Sequence, residues 1–430
     1  MAPYKRRVAL IDGCRTPFVK ADAAYADMTA SDLARIPATE LLQRTGLDPE
    51  EIDACVFGAV IADPVTPNLG REVVLRAGLP RKIEAWTVNR ACASSNQAIT
   101  SGADLIAQGL ADVVLAGGAE ATSQAPIVWS RAVAKALMAA SKARSVLERL
   151  SAFKKIRPGD LAPVPPAIAE AFTGLSMGES CEKMARENGI PRDAQDRIAL
   201  ASHLRAAAAM ADGRLGRDLV PVYPPPRYAP CVSEDALVRK DTSLESLAAL
   251  KPVFDRQFGT LTAGNSSPLT DGASAVLLMA EDKARALGYK PIGFLRSYAY
   301  AALDPFDQLL QGPAFAIPIA LERAGATLAD MEVVEMHEAF AAQVLSNLQA
   351  LGSVTFARER LGRQKAVGEV DPERLNPMGG SIALGHPFGA TGARLCMQLL
   401  GELARRGGQL GLVSVCAAGG IGAAMIWERE

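Results

Sequence analysis

The sequence predicts an α/β protein built as two similar halves, with a helical segment inserted into the first. Three observations carry this. Apolar, β-branched runs alternate with segments of helical period along both ends of the chain, the texture of a mostly parallel sheet covered by helices on both faces. The order of reactive residue, apolar-striped helix, apolar strand and glycine turn occurs once around Cys92 and again around His386, an internal duplication in element order. Between these regions lies a basic, proline-punctuated stretch of different texture.

In chain order, Arg7 to Ile11 is an apolar run closed by Asp12-Gly13, hence a central strand. Ala30 to Arg44 reads as a helix stopped by Gly46, Asp48 caps a short acidic turn, and Ala54 to Ile61 is a buried strand. Glu84 to Asn89 is a short strand leading into a turn at Cys92. Beyond it Ile99, Ala103 and Ile106 form the stripe of a helix, and Val113-Val114-Leu115 returns as a strand ending at Gly117-Gly118. Cys92 is therefore expected at a helix N-terminus, where free N–H groups and the helix dipole favour a thiolate. The small neighbours Ala91, Ala93, Ser94 and Ser95 leave room for a substrate.

From Arg131 to Arg157 there are eight basic residues and one acidic residue, Glu148, interleaved with Val133, Leu137, Val146 and Leu150. This pattern is one or two basic amphipathic helices, either a solvated face or a surface for a membrane or a partner protein. The loops Pro158 to Pro166 and Pro221 to Pro230 bracket a helical stretch from Ala171 to Ala211. The expected division is 1–122 with 254–288, an inserted domain 123–253 forming one wall of a pocket, and a second half 289–430. In the last part Ala273 to Met279 is a strand, Glu281 to Leu287 a helix, Pro291 to Tyr300 the start of a second series and Pro318 to Ala324 a helix. Glu332 to Met336 is a strand running into His337. Asn376 to Thr391 is a glycine-rich turn around His386, followed by a helix with Leu395, Leu399, Leu400 and Leu403 on one face. Leu410 to Val415 is a strand ending at Cys416.

Composition bounds the function. The 430 residues carry a net charge of −1, which argues against general nucleic-acid binding. Seven cysteines without a C-x-x-C pair fit free thiols in a reducing compartment. The N-terminus has no long apolar core of a secretory signal, so a cytoplasmic protein is expected. The longest uncharged stretch, Gly407 to Trp427, is rich in glycine and reads as a buried strand and turn. HExxH would require a histidine at Ala341, and GGSIALG lacks the dinucleotide spacing, so neither a zincin nor a Rossmann fingerprint is supported and no metal is expected. Of three histidines, His203 lies on an alanine-rich helix without an assigned role, whereas His386 sits among five glycines that permit close approach of a ligand. Two cysteines and two histidines at strand ends and helix starts suit acyl transfer. One thiolate is a nucleophile, an imidazole activates it, a second thiol moves protons, and backbone N–H groups form an oxyanion hole.

The motifs VNRACASSNQAI, AGGAEATS, TAGNSSPLTDGA, HEAFAAQ, NPMGGSIALGHPFGATGAR and CAAGGIGAAMI, in this order over essentially the whole length, resemble the thiolase family. The resemblance implies a thiolase fold, two βαβαβαββ halves in a five-layered αβαβα core with an inserted loop domain, and a homodimer or homotetramer. It implies thiolytic cleavage of 3-ketoacyl-CoA with coenzyme A as co-substrate and no tightly bound cofactor. Cys92 would be the nucleophile, His386 its activator and a holder of the thioester oxygen, and Cys416 the acid/base. Cys92, Ala418, His386 and His337 would form the oxyanion holes. Ala263, Gly264 and Ser267 match the segment lining the pantetheine, and Met177 and Phe340 match the acyl pocket. Three departures stand out: His337 replaces the usual asparagine, Ala418 replaces the first glycine of C-x-G-G-G, and Ser176 stands where many members carry histidine. HEAF and CAAGG resemble the thiolase subunit of the β-oxidation multienzyme complex. That points to a hydratase/dehydrogenase subunit or an anionic membrane as partner of 131–157. The competing expectations are a Claisen-condensing enzyme and a non-catalytic lipid-binding scaffold.

Overall fold

The computed structural model describes residues 6–162 and 169–430, so the last residues of the loop Pro158 to Pro166 and the first five residues of the chain lie outside it. The described residues form ten strands: β1 (Val8–Arg15), β2 (Val19–Lys20), β3 (Ala54–Gly58), β4 (Glu84–Val88), β5 (Val113–Glu120), β6 (Thr270–Ala280), β7 (Gly293–Ala302), β8 (Val333–Met336), β9 (Leu410–Ala417) and β10 (Ile421–Glu428). They pair in the order β4-β3-β5-β6-β1-β7-β10-β9-β8, with β2 on β6. The sheet is mixed, not mostly parallel as expected: only β3–β4, β3–β5 and β8–β9 run parallel. The reason is the last strand of each half. β6 follows the insertion and β10 follows a tight turn, and both enter antiparallel to their neighbours.

The duplication is visible in the strand order. Numbering strands within each half, and leaving the two-residue β2 aside, the first half reads 3-2-4-5-1 and the second 2-4-5-1. The place of the missing strand, beside β8, is held by a single parallel bridge between Val334 and Leu375. The glycine-rich segment that carries His386 follows that bridge.

Three apolar layers alternate with the two halves of the sheet. Helices Ala30–Thr45 and Leu69–Arg76 pack on the outer face of the first half through Leu33, Leu41, Val73 and Val74. Helices Gly312–Ala324 and Ala341–Gly352 do the same for the second through Ile317, Leu321, Val344 and Leu351. Between the halves lie helices Ser94–Ala107 and Thr391–Arg406, sharing one core with Val56, Val114, Val276, Val413, Met425 and Trp427. This is the five-layered αβαβα arrangement. The two central helices meet closely: a Cβ on Gly392 would fall 2.0 Å from Asn96 Oδ1. Each central helix follows a reactive residue, so their contact brings the two reactive turns together.

Several boundaries moved for identifiable reasons. The strand expected from Ala54 to Ile61 stops at Gly58, because the N–H groups of Val60 and Ile61 turn to the Glu120 carboxylate instead of a neighbouring strand. The stretch from Ala171 to Ala211 holds two helices, Met177–Glu187 and Arg192–Ala211, broken where Gly189 takes φ +63° and Pro191 follows. The helix expected from Pro318 begins at Gly312 and carries Pro318 inside it.

The chain divides into two compact units, Ala125–Ala169 and the remainder. Residues 170–253 of the expected insertion belong to the larger unit. The small unit holds helices Arg131–Lys142 and Val146–Ser151, capped by Ser130 and Ser145. Ile127, Val128, Trp129, Leu137, Met138, Val146, Leu147, Leu150, Phe153 and Leu161 are exposed on it. Among the described residues, no helix is long and apolar enough to cross a membrane.

Candidate active site

Cys92 sits two residues before the central helix, in a turn stiffened by Ser94, whose hydroxyl accepts from Arg90 N (2.9 Å) and donates to Ala91 O (2.7 Å). Ala91 holds φ +46°, a conformation costing of order 1–3 kcal/mol in a non-glycine residue and characteristic of functional turns. His337 follows β8, its backbone N–H held by Ser414 O at 2.8 Å. His386 lies in the loop before the second central helix, its N–H bound to Thr270 Oγ1 at 2.7 Å. Cys416 is near the end of β9. Four elements from both halves thus converge. Cys92 Sγ and one nitrogen of each histidine lie within 4.8 Å of one another. The imidazoles stack with centroids 3.9 Å apart. His337, His386 and Cys416 are buried, while Cys92 alone retains partial exposure.

The ring Nδ1 atoms are engaged, His386 with Thr391 Oγ1 (2.6 Å) and His337 with Ser381 Oγ (2.9 Å). Both Nε2 atoms are buried without a partner, so they are the atoms left for substrate chemistry. Glu120 ties the site together. Its carboxylate accepts from Ile61 N (2.8 Å), Val60 N (3.2 Å) and Gly389 N (2.9 Å), fixing the His386 loop against β3. The fit is close, since a Cβ on Gly118 would meet Gly389 O at 2.0 Å. Glu338, next to His337, accepts from Ser202, Asn376 and Ile382 N. None of Glu120, Ser381, Thr391 and Glu338 was singled out from the sequence, although each lies inside a quoted motif. Their role is to hold other residues, and sequence pattern alone does not expose that.

The electrostatics differ from the expectation of a helix-stabilised thiolate. Burial pushes the Cys92 thiol up to about 12, against the N–H groups of Ala418 and of Cys92 itself, which point at its sulfur. Burial, with the Arg394 charge second, takes His386 down to about 3. Both shifts favour the neutral forms, a thiol and an imidazole, at neutral pH. The resting pair is therefore thiol and imidazole, not thiolate and imidazolium. Absorbance at 240 nm, where thiolates absorb, is expected to stay constant when Cys92 is alkylated with iodoacetamide at pH 7; a drop on alkylation would show an ion pair instead. Burial, then the neighbouring Cys92 and Cys181, raises Cys416 well above the ordinary thiol range, so it too holds its proton.

An apolar core cluster and a cavity adjoin these groups. Cys416, Phe340, Ala339, Leu309, Leu310, Cys181 and Met184 form an apolar cluster with Met177 and Phe254 packed on it. A cavity of about 330 Å³ is lined by Ala263, Gly264, Ser266, Ser267, Phe254 and Ile382, with Lys20 and Arg239 supplying positive charge. The loop under it is strapped to the site: Ser267 N donates to Ala339 O (2.9 Å), Ser266 bridges Phe340 and Leu269 bridges His386. His203 lines the same cavity and accepts from Arg239 N through Nδ1 (3.2 Å).

A partly exposed cysteine facing two neutral imidazoles, a second proton-bearing thiol and inward N–H groups defines an acyltransferase working through a cysteine thioester. The comparisons agree. The thiolase N-terminal domain matches residues 8–282 and the thiolase C-terminal domain residues 289–429. The 3-ketoacyl-CoA thiolases of Yersinia pestis (strain Pestoides F) and Yersinia pseudotuberculosis (serotype O:1b) are each 51% identical over 424 residues, 99% of this chain and 97% of theirs. Among solved structures, the Bacillus anthracis acetyl-CoA acetyltransferase superposes with TM-score 0.85 at 32% identity, covering 99% of both chains. Human mitochondrial 3-ketoacyl-CoA thiolase in complex with CoA gives 0.84 at 32%, covering 99% of this chain and 98% of that one. The chain belongs to the thiolase family.

Proposed function

We propose that this acyltransferase cleaves 3-ketoacyl-CoA with coenzyme A, releasing acetyl-CoA and a shortened acyl-CoA as in fatty-acid β-oxidation. The observation carrying this is the placement of Cys92 against His386 and beside Cys416. In the first step Cys92 Sγ attacks the 3-keto carbon while His386 Nε2 takes the thiol proton. The sulfur–carbon bond forms, the bond between carbons 2 and 3 breaks, and the acetyl-CoA enolate leaves, protonated at carbon 2 by Cys416. In the second step Cys416 takes the proton of incoming CoA, whose sulfur attacks the acyl thioester. The Cys92–carbon bond breaks and His386 returns the proton to Cys92. N–H groups of Cys92 and Ala418 face the sulfur and are placed for the thioester oxygen, while His386 and His337 face the second oxyanion. Removing one such donor costs about 3 kcal/mol of barrier.

The apolar cluster with Met177 and Phe340 suits the acyl chain, and the cavity at Ala263, Gly264 and Ser267 suits pantetheine, with Lys20 and Arg239 for its phosphates. Within the larger unit, His203, Leu237, Arg239, Leu247 and Val253 wall this region. No tightly bound cofactor is needed for these steps. The chemistry is complete in one chain, and we place it in a homodimer or homotetramer in the cytoplasm, where the free thiols would stay reduced. The deciding experiment is incubation with 3-ketohexadecanoyl-CoA and CoA. Acetyl-CoA release supports thiolysis, and a series of chain lengths then gives the preference. Malonyl-dependent condensation without acetyl-CoA release would assign the condensing reading instead. A proton-bearing Cys416 favours thiolysis, because decarboxylative condensation needs no such shuttle.

The unit Ala125–Ala169 supports a second property, attachment to an anionic membrane. It exposes Leu147 and Leu150 beside Arg149 and, further on, Lys154, Lys155 and Arg157. Each basic residue near an anionic surface contributes about 1 kcal/mol. The triple variant Lys154→Glu, Lys155→Glu, Arg157→Glu is expected to lose at least about 100-fold in affinity for phosphatidylserine vesicles, three such contributions, with thiolysis in solution unchanged. Equal sedimentation of both proteins with vesicles removes this reading. Loss of binding to a hydratase/dehydrogenase subunit, with vesicle binding intact, would assign the surface to that partner.

A further inference from the structure

The two imidazoles at the centre of the site have different supports, and those supports decide where their protons lie. Thr391 Oγ1 donates its one hydrogen to Pro387 O at 3.0 Å, the usual back-bond of a threonine in the first turn of a helix. It therefore meets His386 Nδ1, 2.6 Å away, as an acceptor. His386 then carries its proton on Nδ1 and presents a lone pair at Nε2, as a base for Cys92 requires.

Ser381 is placed the other way. Arg394, fully buried in the second central helix, directs Nη2 at Ser381 Oγ at 2.9 Å, and its Nη1 binds Gln398 Oε1. A guanidinium has donors only, so the serine oxygen must accept from it. The serine hydrogen remains, and the partner the structure gives it is His337 Nδ1 at 2.9 Å. A buried hydroxyl hydrogen left unpaired costs of order 1–3 kcal/mol, so the bond runs from serine to imidazole. Nδ1 of His337 is then the acceptor and its proton sits on Nε2, the atom that is buried without a protein partner and faces the site.

We propose that Arg394, acting through Ser381, fixes His337 as the Nε2–H tautomer and so makes it a hydrogen-bond donor to the substrate oxyanion, while the adjacent His386 holds the opposite tautomer and serves as base. Arg394 is a positioning residue, since it reaches the reacting atoms only through Ser381 and His337. The assignment rests on the thiolysis reading for its consequence, though not for its geometry. It gives the histidine at 337 the donor function that an asparagine side chain would otherwise supply. It also sets this cluster apart from a metal site: Cys92, His386 and His337 are close enough to share an ion, yet ligation would require a lone pair where His337 carries its hydrogen. Arg394 keeps its charge at neutral pH, because burial lowers it only to about 10.

The chain has three histidines, which makes the test direct. In protein labelled with ¹⁵N-histidine and free of substrate, long-range proton–nitrogen spectra distinguish a protonated from an unprotonated ring nitrogen. His203→Gln identifies the third ring. The expected result is His337 protonated at Nε2 and His386 at Nδ1. Arg394→Met frees Ser381 to accept from His337, so the His337 proton is expected to move to Nδ1. Loss of one oxyanion donor should lower kcat about 10²- to 10³-fold with KM little changed, and Arg394→Lys, which keeps a donor-only cation, should restore part of both. A wild-type His337 protonated at Nδ1, or an unchanged tautomer in Arg394→Met, overturns the proposal. The wild-type spectrum needs no variant to fold. Absence of acetyl-CoA release would count against thiolysis while leaving the tautomer assignment to be judged on the spectra alone.

Discussion

Cys92→Ala is expected to lower thiolysis by about 10⁴- to 10⁶-fold, the range found when the nucleophile of a cooperating catalytic group is removed. Nothing nearby can replace it. Cys416 and Cys181 are both packed within the apolar cluster. The thiol is also the one member of the set with partial exposure, hence the one a substrate carbon can reach. The loss should be in kcat more than in KM, because the acyl cluster and the cavity around Ala263 and Gly264 are untouched. Mass spectrometry of the wild-type protein mixed with 3-ketoacyl-CoA, without CoA, should show one acyl group per chain, absent in the variant. An acyl adduct persisting in Cys92→Ala, or turnover within tenfold of wild type, would move the nucleophile elsewhere or revive a non-catalytic role. Cys416→Ala provides the contrast. It removes the proton shuttle, a loss of about 10²- to 10⁴-fold, but leaves the attacking sulfur.

The second large effect concerns stability. Asp235→Ala is expected to destabilise the protein by about 3–5 kcal/mol, because it strands a buried charge. Arg15, at the end of β1, is 1% exposed and Asp235 is 0% exposed. Their contact is bidentate, 2.7 Å on both oxygens, and Asp235 also accepts from Phe18 N at 2.8 Å. This clasp anchors residues of the insertion to the central strand. Removing only the carboxylate leaves a buried guanidinium without its bidentate partner, with Asp218 as the remaining acidic neighbour. The double variant Arg15→Met, Asp235→Leu removes both charges and should recover much of the loss, since a buried ion pair and an apolar pair of similar volume are often close in stability. Urea unfolding followed by circular dichroism measures both. A single variant within 1 kcal/mol of wild type would mean that water reaches Arg15.

Much of the site was legible in the chain itself. Cys92 and His386 sit in turns that lead into a helix, and Cys416 sits near the end of a strand before a glycine turn, placements readable from period and punctuation. The repeated element order foretold that the two halves would present these turns to one another. Hidden from sequence were the residues that hold rather than react. Glu120 reads as the polar end of a strand, yet it accepts three N–H groups from two loops 59 or more residues away. Arg394 stands beside the leucine face of its helix with no role readable from the sequence, yet it is fully buried because that helix lies between two halves of the sheet.

The same division applies to charge. A sequence states that a cysteine precedes a helix, and the dipole argument then predicts a thiolate. Only the packed structure gives the competing term. Desolvation grows as remote segments pack around the site, so burial outweighs the N–H groups directed at the sulfur and favours the protonated thiol. The residues able to perform acyl transfer were thus determined by the sequence. Their protonation states, and the direction of each hydrogen bond around the two imidazoles, were decided by tertiary structure, because both depend on neighbours that are remote along the chain.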